Sequence, residues 1–175
     1  MTPYRSQLGI TAIELMATLL IVAVLAAIAI PNFVGMIRND RARAQASMLA
    51  DALNYARSEA VTRGFQVGVS SASGDNNWDQ GWRVWSDKNG DGSYVAGTDI
   101  ELRVQSTFTG NATLQNGNIQ VLFSPSGALA GRPVMNASNE LVFQYRVNNN
   151  DCSLGKDIHV NLVGRIFLDK QAGCP

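Results

Sequence analysis

The order of apolar and polar positions divides the chain into three stretches. From Leu15 to Ile30 only Thr18 is polar. Extended back to Ile10 the apolar run has 21 residues, roughly 31 Å of helix at 1.5 Å per residue and about the depth of a hydrocarbon core. One acid, Glu14, stands near its start. A carboxylate inside such a run costs about 2.5–3.5 kcal/mol, so Glu14 requires a cationic partner; the plainer reading is a signal-anchor helix with a charge tolerated near the interface. Pro31 removes a backbone donor and its ring meets the carbonyl of Ala27, so a kink or local opening is expected there. Gly35 weakens the same turn.

Residues 32–63 keep a helical period. Leu49, Leu53, Ala56 and Ala60 recur on one face, Met48, Ala52 and Tyr55 widen it, and Asp51, Arg57 and Glu59 take the other faces. Gly64 follows Arg63 as a stop signal. One helix is therefore expected from about Ile10 to Arg63, some 54 residues and roughly 80 Å. After Gly64 the period becomes two. Alternation marks strands around Phe65–Val69, Trp82–Ser86, Ile100–Val104, Ile119–Phe123, Leu141–Val147, Ile158–Leu162 and Arg165–Leu168. Gly, Asn and Pro clusters separate them, among them Lys88-Asn89-Gly90-Asp91-Gly92, Ser124-Pro125-Ser126-Gly127 and Asn148-Asn149-Asn150-Asp151. The fold class is α+β: a long N-terminal helix, one half membrane-crossing and one half amphipathic, the latter packed on antiparallel sheet, either two packed sheets or strongly bent ones.

Charge adds little. Lys plus Arg balance Asp plus Glu at 14 each, and loss of residues 1–9 with Arg5 leaves 13 against 14, so no strong field for nucleic acid follows. About 145 residues remain beyond the leader and membrane helix, enough for one domain with a modest core. Two cysteines and one histidine offer no zinc spacing, and no cofactor is expected. No paired carboxylates, triad or GxSxG motif supports an enzyme.

The segment Gly9-Ile10-Thr11-Ala12-Ile13-Glu14-Leu15 resembles the prepilin processing site of type IV pilins and type II secretion pseudopilins. The resemblance implies cleavage by a membrane prepilin peptidase between Gly9 and Ile10, methylation at Ile10, and Glu14 as the fifth mature residue. Pro31 becomes the twenty-second, where the family also commonly has proline. Ile10 departs from the usual Phe but stays apolar. In such a filament Glu14 of one subunit pairs with the N-terminal amine of another, which favours correct register because an unpaired buried charge is costly. Tyr55–Arg63, Trp78–Asp87, Phe123–Gly127 and Val163–Ile166 resemble the GspH/FimT group of minor pilins and pseudopilins. The implied organisation is a cleaved leader at 1–9, a transmembrane and assembly helix at 10–34, its amphipathic continuation at 35–64 and a β-rich domain at 65–175. The implied partners are other minor pilins and the major pilin, or pseudopilins, and an inner-membrane assembly platform. Arg38, Arg41 and Arg43 after the apolar run would by the positive-inside rule place the C-terminus in the cytoplasm; the processing pattern and the cysteine pair, suited to an oxidising compartment, point instead to a periplasmic domain on a single-pass inner-membrane helix.

Other candidate sites follow from the residues. Cys152 and Cys174 enclose 21 residues, and a disulfide there would contribute about 3 kcal/mol by loop closure. Asp87, Asn89 and Asp91 with Gly92 match the first half of a calcium loop, but the twelfth position is Thr98 in place of a bidentate Glu; a polar hairpin turn explains the same residues. Trp78, Trp82 and Trp85 are expected to be core rather than a binding face. Relatives in this group that bind DNA carry Gly-Arg-x-Arg. Gly164-Arg165-Ile166-Phe167 lacks the second arginine, so DNA binding is not expected. His159 is read as exposed or at an edge. Three functions remain to be separated: a minor pilin that primes pilus assembly near the tip, a secretion pseudopilin, and a membrane-tethered periplasmic enzyme or receptor.

Overall fold

The computed structural model describes residues 11–107, 112–116, 118, 120–131, 133–147 and 151–170, with the side chains of 31, 32, 112, 115 and 151–154 outside that description. Two compact units are distinguished, one ending at Asn39 and the other beginning at Asp40. Helix α1, Ala12–Arg63, contributes to both. It continues through Pro31, so the proline does not end it. It stops where Gly64 takes a left-handed φ of 69° and its N–H reaches the Ala60 carbonyl at 3.0 Å, the geometry that glycine adopts without a Cβ penalty.

Among the described residues of the second unit, nine strands form two antiparallel sheets. One has the order β3-β2-β1-β5-β6, from Ile100–Ser106, Gly81–Asp87, Gln66–Ser71, Gln120–Phe123 and Leu129–Ala130. The other has the order β4-β7-β8-β9, from Ala112–Gln115, Glu140–Val147, Asp151–Asn161 and Ile166–Lys170. The helix stripe of Leu49, Leu53, Ala56 and Ala60 is buried with the inner faces of both sheets, as its spacing predicts. The stripe also reaches back over Ala42 and Ala46, whereas Met48, expected to widen it, is exposed. Trp78 ties the sheets together. Its ring meets Phe143 edge-on at 4.8 Å, its amide donates to the Leu114 carbonyl at 2.8 Å, and its indole N–H donates to the Asn118 carbonyl at 2.9 Å.

Several local expectations change. Phe65 lies outside β1 and is exposed. Strand β1 is covered on both faces, since Gly68 sits opposite Trp85 and leaves room for the indole: a Cβ on Gly68 would come within 2.4 Å of that ring. Strand β8 begins at Asp151, within the expected turn, because Val147 pairs with Asp151 across a register shift. His159 is neither exposed nor on an edge strand, since β8 lies between β7 and β9; its Nδ1 lies 3.0 Å from Glu140 and its ring stacks on Phe167 at 4.9 Å.

Arg57 anchors two turns to the helix. Its Nε donates to the Gly127 carbonyl at 2.8 Å and its Nη2 to the Val163 carbonyl at 3.2 Å. Gly164, at φ 78°, passes so close that a Cβ would lie 2.0 Å from the Gly127 carbonyl oxygen. A bond from a charged donor contributes about 1.5–3 kcal/mol, and because the one to Val163 is exposed the low end applies, so Arg57→Met is expected to lower stability by about 3 kcal/mol in denaturant titration, and Gly164→Ala to be at least as damaging.

Tyr145 is buried and its hydroxyl donates to the buried Gln45. Burial raises its pKa from 10.0 to about 12, against a smaller opposing effect of Arg41. The folded state therefore holds this proton more tightly than the unfolded chain. The associated stability is complete below pH 10.0 and is lost as pH rises towards about 12. Tyr145→Phe is expected to flatten the fall in unfolding free energy across that window, while costing about 1 kcal/mol at neutral pH through the lost hydrogen bond.

Candidate functional site

The apolar helix and its single acid are the chief candidate. Thr11 precedes α1 and its Oγ1 accepts the Glu14 N–H at 3.3 Å, while its carbonyl accepts the Leu15 N–H at 3.1 Å. Thr11 is thus the N-cap and Glu14 the third helical residue, where a negative charge also suits the helix dipole. The Thr-x-x-Glu spacing is a readable capping signal, and it gives Glu14 a local role besides the expected intermolecular one. Thr18 donates to the Leu15 carbonyl at 2.9 Å, so its hydroxyl is satisfied within the helix. Around it the apolar side chains are exposed on every face: Ile13 is 74% exposed, Leu20 67%, Ile28 64% and Phe33 62%. The helix is long and apolar enough to cross a membrane. A helix apolar all round is stable in water only when something covers it.

Gly9, Ile10 and Cys174 lie outside the described residues, as does the side chain of Cys152, whose backbone belongs to β8. Pro31 stands within α1.

The acidic turn after β2 is wound by its own amides. Asp87 is buried and accepts the N–H groups of Gly90 at 2.7 Å and Gly92 at 2.9 Å. Asp99 accepts those of Lys88 at 3.1 Å and Val95 at 2.7 Å. Asn89 and Asp91 bond to each other, and Asp91 also accepts the Ser93 N–H. Among the described residues no three His, Cys, Asp or Glu side chains gather where they could share a metal ion. Asp75, in the preceding turn, has its carboxyl held below the ordinary range by the Ser73 hydroxyl and then by the Asn77 N–H.

All three tryptophans are buried, but in two places. Trp78 and Trp82 belong to the central core. Trp85 lies on the opposite face of the first sheet, against Tyr94 at 5.9 Å. The segment 88–99 folds back over that face, where Gln120 donates to the Gly92 carbonyl and Leu122 lies 3.4 Å from the Cβ position of Gly92. Alternation alone shows that Trp82 and Trp85 point apart; that a loop covers the second of them is a long-range fact. Arg165 is exposed, with its guanidinium 5.8 Å from the centre of the Phe167 ring.

Residues 45–164 match the family model described as Type II transport protein GspH. No curated protein matches the chain. Two crystal structures of the type IV minor pilin FimU of Pseudomonas aeruginosa PAO1 share its fold. One, in space group P21, has a TM-score of 0.61 and 23% identity, covering 78% of this chain and 93% of that one. The other, in space group P65, has a TM-score of 0.57 and 24% identity, covering 76% and 96%. At that identity the likeness is one of fold: a long N-terminal helix packed on antiparallel sheets. The matched region begins inside α1, beyond Glu14 and the membrane-length segment. Since the family model spans well over half of the 175 residues, the chain belongs to the GspH family.

Proposed function

We propose that this chain is a minor pilin of a type IV pilus. The observation that carries the reading is a helix apolar on every face, with one acid in its first turn, continuous with a GspH-family domain. In this reading residues 1–9 are removed between Gly9 and Ile10 by prepilin peptidase, and Ile10 is methylated. The helix holds the subunit in the bacterial inner membrane with the β-rich domain in the periplasm. Assembly then moves the helix from lipid into a bundle with other minor pilins and the major pilin, at or near the tip, where the subunit primes growth. The chain acts by packing and not by catalysis. The shared fold with FimU supports this reading.

Glu14 sets the register. In lipid or in a helix bundle its carboxylate is desolvated, and the amine freed at Ile10 of a neighbour is a partner of opposite charge. Removing one member of such a pair strands the other. Cys152 and Cys174 form a disulfide in this reading, closing the C-terminal strands in the oxidising periplasm.

The family model's own description favours a second reading, a GspH-like minor pseudopilin of type II secretion. Deletion of the gene distinguishes the two: loss of surface pili supports the first, and loss of enzyme export with pili intact supports the second. Two outcomes test the shared mechanism. Mature protein should begin at N-methyl-Ile10 by Edman or mass-spectrometric sequencing; retention of residues 1–9 would overturn filament assembly. Glu14→Ala should reduce the protein in sheared filaments by about tenfold or more and leave the far-UV circular dichroism of the β-rich domain unchanged. Normal incorporation of that variant would remove the pairing role.

A further inference from the structure

A cavity of about 300 Å³ opens on the outer face of the five-stranded sheet, at the small end of the range for ligand pockets. Its walls come from β1 and the turn after it, from Arg83 of β2, from Gln120 of β5, and from Ser93 and Tyr94 of the folded-back segment. They carry hydroxyls, an amide and a guanidinium, and no carboxylate.

Arg83 is held in place but only lightly engaged. Its guanidinium lies 4.6 Å from the centre of the Tyr94 ring. One nitrogen reaches the Ala72 carbonyl at 3.4 Å, and another stands 4.0 Å from Glu101. Both are at the outer limit of useful contact, and a guanidinium has five N–H donors. Beside it the hydroxyls of Ser70 and Ser93 have no partner among the described residues. Two register steps from the Ser70–Arg83 pair, and outside the cavity lining, the buried indole N–H of Trp85 also lacks an acceptor among the described residues. Donors in excess around a fixed positive charge are what a negatively charged, multidentate acceptor satisfies. The nearby acids are otherwise placed: Asp75 accepts from Ser73, and Glu101 is an exposed competitor for Arg83 on the edge strand.

We propose that this cavity binds a small oxyanion-bearing ligand, carboxylate or phosphate, through Arg83 with Ser70 and Ser93. Such a site goes beyond the filament reading and does not depend on it. The test is calorimetric titration of the full-length protein in detergent micelles with glucuronate, with inorganic phosphate, and with neutral glucose. At least one anion should bind saturably with a dissociation constant on the order of 1 mM, the tighter of the two naming the source, and glucose should not bind. Arg83→Gln should weaken that binding about tenfold. Glu101→Gln should tighten it about threefold by removing a competing carboxylate, a gain that misfolding cannot produce. Failure of both anions to saturate below about 10 mM, equal binding of glucose, or wild-type affinity in both variants would each overturn the proposal. If Arg83→Gln does not fold, the Glu101→Gln titration decides.

Discussion

A helix that is apolar on all sides has to be covered by something other than water, and that demand governs this chain. Between Ala12 and Asn39 the described side chains find no core of their own. From Ala42 onwards the same helix meets the demand internally, through a stripe of alanine and leucine set against two sheets. The two halves differ less in helix propensity than in what lies beside them. Alanine and leucine favour helix in both, and the change is from an all-round apolar surface to a one-sided one. The first half therefore belongs with lipid or with other helices, which in the proposed function the membrane and then the filament supply.

Much of this was legible in the residues. Leu49, Leu53, Ala56 and Ala60 announced their face because helical period and burial coincide there. The principal strands were visible for the same reason with a period of two. What escaped depended on partners distant in sequence. Gly68 reads as a weak point in a strand, and only the opposed Trp85 shows that an indole occupies the missing side chain's place. Asp151 reads as a turn residue until Val147 pairs with it. His159 reads as an exposed or edge residue until Glu140 and Phe167 reach it from the strands on either side.

The candidate site was legible in part. Glu14 stands out against its apolar surroundings, and the Thr-x-x-Glu spacing also carries the signal for the cap in which Thr11 accepts the Glu14 N–H. The family-like segments around Arg57, Gly127 and Gly164 were visible as separate stretches. That they meet at one place, with one guanidinium bonded to two turn carbonyls, is a product of the fold. The acidic turn shows the opposite case. Its Asp and Asn positions suit an ion, while the folded chain already directs backbone N–H groups at the same oxygens.

The contact between Gly68 and Trp85 ties the histories of two positions together. Any side chain at 68 collides with the indole unless residue 85 shrinks in the same step, and a smaller residue at 85 opens a void unless 68 grows to fill it. Substitutions accepted at either site should therefore arrive as compensating couples, and relatives of this domain should sort into those with a bare backbone beneath a large ring and those with neither.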